Sequence, residues 1–125
     1  YGTRDIITQM NKQGYRIETI FVTGGGAKNP LFLQTHADVT GCTLILAKEP
    51  EAVLLGSAVL GAAACGKYKT LFEAMCAMNK TGRVIKPNLS KTVADYHAAK
   101  FAVFGQMHKD YLNYRALMHI PCKRG

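Results

Sequence analysis

The sequence feature best suited to chemistry is a triple glycine, Gly24–Gly26, which follows an apolar run and precedes a helix-forming stretch. Ala27, Lys28 and Asn29 come next, and Pro30 stands where the first turn of a helix tolerates a residue without an N–H group. A glycine-rich turn lets the backbone approach a ligand closely, and the helix that follows offers free N–H groups and a positive dipole end. This arrangement is suited to binding phosphate. The alternative is a purely structural turn that needs positive φ, and the glycines alone do not decide between the two.

Two nucleotide-binding motifs are excluded by the spacing. The P-loop pattern GxxxxGK[ST] is absent from the sequence. A dinucleotide fingerprint would use Gly24 and Gly26 as its first two glycines, but Asn29 occupies the position of the third. No acidic residue ends the next predicted strand, so the contact to a ribose that such folds use is missing as well.

Histidines and cysteines could support metal or acid–base chemistry, but their spacing does not favour it. No two histidines lie four residues apart, and no two cysteines have the CxxC spacing of zinc ligands. We therefore expect the histidines at the surface or at helix ends, and the cysteines as reduced thiols in the cytosol. The residues concerned are His36, His97, His108, His119, Cys42, Cys65, Cys76 and Cys122.

Apolar periodicity predicts helices that alternate with strands around the glycine turn. Nearly continuous apolar runs indicate buried strands at 16–23 and 42–47. The stretch 79–88, which contains Gly82 and Pro87, predicts a loop or a short strand, and 120–125 is expected to be frayed. The helices are predicted at residues 3–13, 30–40, 51–65, 71–78 and 90–117.

This order of elements implies parallel strands joined by helical crossovers, and hence an α/β fold. Two strands make a poor sheet, so we expect the chain to be part of a larger domain. The helix at 51–65 is built largely from small residues, including Gly56 and Gly61. Each of these glycines costs roughly 1 kcal/mol of helix propensity relative to alanine. Close packing against a neighbouring element is the expected compensation, and a nearby ligand is the alternative.

The stretch from Phe21 to Gly61 resembles the C-terminal part of the FGGY family of carbohydrate kinases, which belong to the actin-like ATPase superfamily. The opening helix, GTRDIITQMNKQG, also looks like the helix that precedes this motif in pentulose kinases, and the segment KNPLFLQTHAD looks closest to the ribulose or ribitol kinase branch. The residues that carry the resemblance are Gly24–Asn29, Gln34, Ala37, Asp38, Gly41, Glu51 and Leu55–Ala58.

The resemblance implies a partial actin-like, ribonuclease H-like ATPase lobe with short parallel strands, helical crossovers and a helical C-terminal segment. It also implies that the chain binds ATP or ADP. By position, Gly25, Gly26 and Ala27 would line the phosphates, and Asn29 would contact the adenine. Lys28 lies close by, but its side chain is expected to face solvent. No residue of this sequence is assigned as catalytic or as a metal ligand.

A complete kinase of this family would transfer the γ-phosphate of ATP to a hydroxyl group of a pentulose or related carbohydrate, with Mg²⁺. The catalytic aspartate and the sugar-binding residues belong to the family's N-terminal domain, which is missing from this sequence. Phosphoryl transfer depends on positioning and charge stabilisation, so we expect the isolated chain to be inactive as a kinase. We assign residues 1–66 to a partial nucleotide-binding lobe and 67–125 to a helical C-terminal extension of the same domain.

Composition and charge exclude several other classes. The chain has 125 residues, of which 48% are hydrophobic and 19% charged, as in a globular protein. No apolar run reaches the roughly 18–20 residues of a membrane span, and no signal peptide is visible, so a cytoplasmic location is expected. The formal net charge of +8 lies entirely in residues 67–125. Lysines that alternate with aromatic residues there indicate an amphipathic helix with solvated lysines, which disfavours a nucleic-acid partner, and the absence of an apolar span argues against a membrane partner.

Two alternatives to a kinase portion remain open at this point. The chain could be a non-catalytic binding or assembly module derived from a truncated kinase, and it would then self-associate because its sheet lacks neighbours. It could also be a basic nucleic-acid-binding domain, whose affinity would fall steeply with salt.

Overall fold

A computed structural model of the protein describes residues 1–118, which form one three-stranded sheet, five α-helices and one turn of 3₁₀ helix. The predicted helices are all present, with ends that shift by one residue or not at all. The predicted frayed segment 120–125 lies outside the described residues. In chain order the elements are α1 (Gly2–Lys12), β1 (Thr19–Val22), the 3₁₀ turn (Gly25–Lys28), α2 (Pro30–Thr40), β2 (Thr43–Ala47), α3 (Ala52–Ala64), α4 (Leu71–Met78), β3 (Thr81–Ile85) and α5 (Lys91–Leu117).

The sheet has the order β1-β2-β3 and is mixed. Strands β1 and β2 run parallel, from the pair Thr19–Thr43 to the pair Val22–Leu46, as the α/β prediction requires. Strand β3 pairs antiparallel with β2. It lies in the segment 79–88, for which the sequence predicts either a loop or a short strand. The two strands predicted to be parallel are therefore confirmed, and the third makes the sheet mixed, because the chain returns through α3 and α4 and enters the sheet in the opposite direction.

Gly82 explains how β3 fits against β2. The pairing shifts between Ile45 and Ala47, where the strand is irregular. A Cβ atom at Gly82 would lie 2.6 Å from the carbonyl oxygen of Ala47, which no side chain could tolerate without a backbone shift. A glycine inside a strand often marks such a close approach of two backbones.

The hydrophobic core lies between α2 and one face of the sheet. Its fully buried side chains include Leu33 and Ala37, which lie four residues apart on α2, and Leu44 of β2. Strand β3 contributes Ile85, which is 8% exposed. The opposite face of the sheet has no comparable cover among the described residues, and Phe21 of β1 is 76% exposed there.

Two polar side chains of α2 hold the segment after β3. The Gln34 Nε2 group donates to the carbonyl oxygen of Lys86 at 3.1 Å and to Asp38 Oδ1 at 2.8 Å. Asp38 Oδ1 also accepts from the backbone N–H of Asn88 at 2.7 Å. These contacts fix the start of the connection to α5, which begins after its N-cap residue, Ser90.

Helix α5 contacts α2, and side chains of its N-terminal half contact the start of the chain. The Tyr1 hydroxyl lies 2.9 Å from His97 Nδ1, and the Tyr1 ring lies near Phe101 and Phe104. The guanidinium of Arg4 lies over the Phe101 ring at 4.4 Å. Within residues 1–118, no helix is both long and apolar enough to cross a membrane.

Candidate functional site

The glycine turn is a sharp, glycine-dependent connection between β1 and a single 3₁₀ turn. Gly24 has φ 82° and ψ −166°, a backbone conformation that residues with a Cβ atom rarely adopt. Its carbonyl oxygen accepts the N–H of Ala27 at 3.0 Å, and the carbonyl oxygen of Gly26 accepts the N–H of Asn29 at 3.1 Å. The first N–H groups of such a helix have no acceptor within it. In the part of the chain that the structure describes, the N–H groups of Gly25 and Gly26 have no hydrogen-bond acceptor.

The three glycines differ in what surrounds them. A Cβ atom on Gly25 would meet nothing within 4 Å, so the space beside it is open. A Cβ atom on Gly26 would lie 2.8 Å from a carbon of the Phe32 ring. Phe32 in turn lies against His36, with ring centroids 4.1 Å apart and the ring planes tilted by 42°. Phe32 therefore supports the turn from one side, a role that sequence reasoning missed because an apolar residue on α2 reads as one more core position.

Asn29 closes the turn and begins α2. Its side-chain oxygen accepts the N–H groups of Leu31 at 3.0 Å and Phe32 at 3.1 Å, as an N-cap residue does. Only the amide NH₂ group of the side chain then remains to contact a ligand. The four sequence-predicted site residues, Gly25, Gly26, Ala27 and Asn29, thus lie together on one turn of backbone.

Lys28 connects the turn to the start of α3. Its Nζ atom lies 3.6 Å from Glu51 Oε1, and both side chains are largely exposed, as the sequence led us to expect for Lys28. Screening by solvent makes such a pair weak. A cavity of about 80 Å³ lies between the turn and the segment before α3, lined by Gly24, Ala27, Glu49 and Pro50 among others.

A larger apolar cavity of about 660 Å³ lies between the uncovered face of the sheet and the helix pair α3–α4. Gly56 belongs to its lining, together with Phe21, Ile45, Val59 and Met75. A Cβ atom on Gly56 or Gly61 would meet nothing within 4 Å. The predicted close packing at these two glycines is therefore wrong within the described residues: α3 packs on α4 and stands off the sheet.

The histidines and cysteines of the described residues do not form a metal site. Among residues 1–118, no group of three His, Cys, Asp or Glu side chains is arranged to hold a metal ion. His36 Nδ1 lies 2.9 Å from the carbonyl oxygen of Phe32, and His97 Nδ1 lies 2.9 Å from the Tyr1 hydroxyl. Both histidines are half-buried and lie within α2 and α5, whereas the sequence predicted the surface or helix ends. His119 lies outside the described residues. Cys42, Cys65 and Cys76 are free thiols, and Cys42 is buried.

One pKa shift stands out, and it lies far along the chain from the turn. A hydrogen bond from Lys100 Nζ to the Tyr96 hydroxyl, 3.1 Å long, raises the pKa of that ammonium above its ordinary value. Lys100 is exposed on α5, so this shift has no bearing on the glycine turn.

Comparison with known proteins identifies relatives of the chain. Residues 1–65 match the FGGY family of carbohydrate kinases, C-terminal domain. The FGGY carbohydrate kinase domain-containing protein of Homo sapiens is 44% identical over 118 residues, covering 94% of this chain and 21% of that protein. A ribulokinase of Mycolicibacterium smegmatis is 35% identical over 109 residues, covering 86% of this chain and 19% of the relative.

A solved structure shows the same fold. Ligand-bound xylulose kinase from Lactobacillus acidophilus superposes with a TM-score of 0.61 at 22% identity, over 74% of this chain and 18% of that one. This likeness confirms the predicted α/β fold. The chain spans about a fifth of the length of the curated relatives it matches. The sugars in the relatives' names differ, so the matches do not single out one substrate branch.

Proposed function

Because the chain belongs to the FGGY family of carbohydrate kinases, with its C-terminal domain matched over residues 1–65, we propose that it is the nucleotide-binding portion of such a kinase. The complete protein transfers the γ-phosphate of ATP to a hydroxyl group of a pentulose or related carbohydrate. Residues 1–66 form the nucleotide-binding lobe. Residues 67–125 form an extension of the same domain, which adds β3 to the sheet.

The turn Gly24–Lys28 is the observation that supports this proposal. Two backbone N–H groups, those of Gly25 and Gly26, have no acceptor among the described residues, and the space beside Gly25 is open. Backbone N–H groups with this freedom suit phosphate oxygens, which are strong acceptors. Ala27 lines the phosphates through its backbone atoms, although its N–H already donates to Gly24. The NH₂ group of Asn29 can donate to a ring nitrogen of the adenine.

The catalytic base and the sugar pocket belong, in this proposal, to parts of the kinase outside this chain. Phosphoryl transfer needs the acceptor hydroxyl, its base and the charge around the phosphates to be positioned together. Mg²⁺ accompanies ATP in such reactions and neutralises charge on the phosphates. The residues around the turn offer no three-carboxylate or histidine cluster for it. The isolated chain therefore binds nucleotide and has no kinase activity.

The choice of a pentulose rests on the resemblance of the segment KNPLFLQTHAD to ribulose or ribitol kinases and on the name of the ribulokinase relative. The test is sugar-dependent ADP release by the full-length kinase that contains this chain, compared across pentuloses, pentitols and glycerol. Preference for glycerol over every pentulose and pentitol would contradict the substrate class and leave nucleotide binding untouched.

Nucleotide binding by the chain itself is tested by calorimetric titration with ATP and ADP. Gly25→Ala places a methyl group in the open space of the turn and should weaken binding by at least about tenfold, because hydrogen bonds to charged groups contribute about 1.5–3 kcal/mol. Gly105→Ala on α5, where the added methyl also meets nothing within 4 Å, is the matched control and should bind as the unmodified chain does. Absence of saturable binding at millimolar nucleotide, or equal binding by the Gly25→Ala variant, would count against the site.

A further inference from the structure

From Phe104 onward, helix α5 carries an apolar stripe; Phe104 itself lies near the Tyr1 ring, and beyond it no other described element covers the stripe. From Met107 to Met118 every residue is exposed except Asp110, which is half-buried. We call the stripe the α5 seam; its large side chains are 65%, 56% and 65% exposed at Met107, Tyr111 and Tyr114, respectively. Its members are Phe104, Met107, Tyr111, Tyr114 and Met118.

The seam has the spacing of a helix-pairing surface. Its residues follow one another at intervals of three, four, three and four, which are the a and d positions of a heptad repeat. Lys109 falls at position f, on the side of the helix away from the seam. Toward the N-terminus the next d position is Lys100. A charged ammonium group does not suit an apolar pairing surface, so the seam ends before this residue.

The C-terminal part of α5 gains little stability from packing on other described elements, which is the main source of stability for most helices in proteins. Residues 107–117 are the last three turns of the 27-residue helix α5, and all of them except Asp110 are exposed. Covering the seam would also remove several large apolar side chains from solvent.

The charges beside the seam point to a second copy of the same chain in parallel orientation. Asp110 occupies a g position, and Arg115, five residues later, occupies the following e position. In a parallel pair, g faces the following e of the other helix, so Asp110 lies beside Arg115 of the partner subunit on both sides of the seam. In an antiparallel pair, g faces g and e faces e, so this pairing of opposite charges is lost.

We propose that the α5 seam is the interface of a weak parallel homodimer, held by seam residues and flanked by two Asp110–Arg115 pairs between the subunits. Two heptads bury far less than the about 1,200 Å² of a stable interface, so association is concentration-dependent. This inference does not depend on nucleotide binding or on the identity of the sugar.

The experiment is sedimentation velocity of the chain from about 10 µM to about 1 mM, a range in which weak dimers dissociate. We expect a concentration-dependent monomer–dimer equilibrium that Tyr111→Glu weakens by more than about tenfold, because a carboxylate is placed in the seam. Lys109→Glu on the opposite face is the matched control and should dimerise normally. A monomer throughout the range, or a dimer that Tyr111→Glu leaves unchanged, would overturn the proposal.

A charge swap tests the parallel orientation and does not depend on the seam variant. Asp110→Arg and Arg115→Asp each turn both flanking pairs into like charges and should raise the dissociation constant about fivefold, as expected for exposed pairs. The double variant restores both pairs and should dimerise like the unmodified chain. If the double variant is no better than the single ones, the parallel arrangement is wrong. Circular dichroism of each variant verifies that α5 remains helical.

Discussion

The three glycines of the turn should respond differently to the same substitution, since each is a glycine for a different physical reason. Gly24→Ala forces alanine into φ 82° and ψ −166°, a region that costs of order 1–3 kcal/mol for any residue with a Cβ atom. We expect a loss of about 2 kcal/mol in the free energy of unfolding, which corresponds to a decrease in Tm of about 8 °C in a domain of this size.

Gly26→Ala meets a different obstacle, the Phe32 ring at 2.8 Å. Phe32 is 42% exposed, so its ring can move to another rotamer. The free energy of unfolding should therefore fall by about 1 kcal/mol, at the low end for overpacking. Gly25→Ala meets no atom within 4 Å and no positive φ. It should leave the stability unchanged or raise it by up to about 1 kcal/mol, because alanine has less conformational freedom in the unfolded chain.

Urea denaturation of the three variants measures these losses, and a fourth variant tests the cause assigned to Gly26. In a Phe32→Ala background the obstacle is removed, so Gly26→Ala should cost almost nothing there, and the coupling appears in a double-mutant cycle. Destabilisation by Gly25→Ala equal to that by Gly24→Ala, or a cost at Gly26 that persists without the ring, would contradict these physical causes.

Other substitutions probe the cap, the core and the surface. Asn29→Ala removes the acceptor of two backbone N–H groups and should cost about 1 kcal/mol in urea denaturation, whereas Asn29→Asp, which can still cap, should cost clearly less. Leu44→Ala empties a fully buried position and should cost about 2–5 kcal/mol, while Leu54→Ala, at a position 68% exposed, should change stability by less than about 1 kcal/mol. Tyr96→Phe removes the hydrogen bond that raises the Lys100 pKa, so that pKa should fall toward its ordinary value in an NMR titration. Because the shift is upward, the stabilisation from this contact is present below the ordinary lysine pKa and is lost as the pH rises through the raised pKa of Lys100. If the pKa of Lys100 is unchanged in Tyr96→Phe, the hydrogen bond is not the cause of the shift.

Local sequence signals determined most of the secondary structure. The caps and breaks around α2, with Pro30 at its start and Gly41 after its end, gave both helix boundaries, because such residues act through the backbone next to them. The glycine turn and the linked motifs up to Gly61 also sufficed to indicate the family, which the match over residues 1–65 now shows. The assignment of Gly25, Gly26, Ala27 and Asn29 to a nucleotide site stays a prediction.

Only the tertiary structure decided what depends on residues distant in sequence. The direction of β3 follows from where the chain re-enters the sheet, and the need for a glycine at position 82 follows from the carbonyl oxygen of Ala47 against it. The contact of Phe32 with Gly26 and the open space beside Gly56 likewise depend on how helices sit against the turn and the sheet. Periodicity in the sequence shows which face of a helix is apolar. That face is covered in α2 and exposed in the α5 seam. The difference depends on which other elements pack against each helix, and the local sequence does not encode this packing.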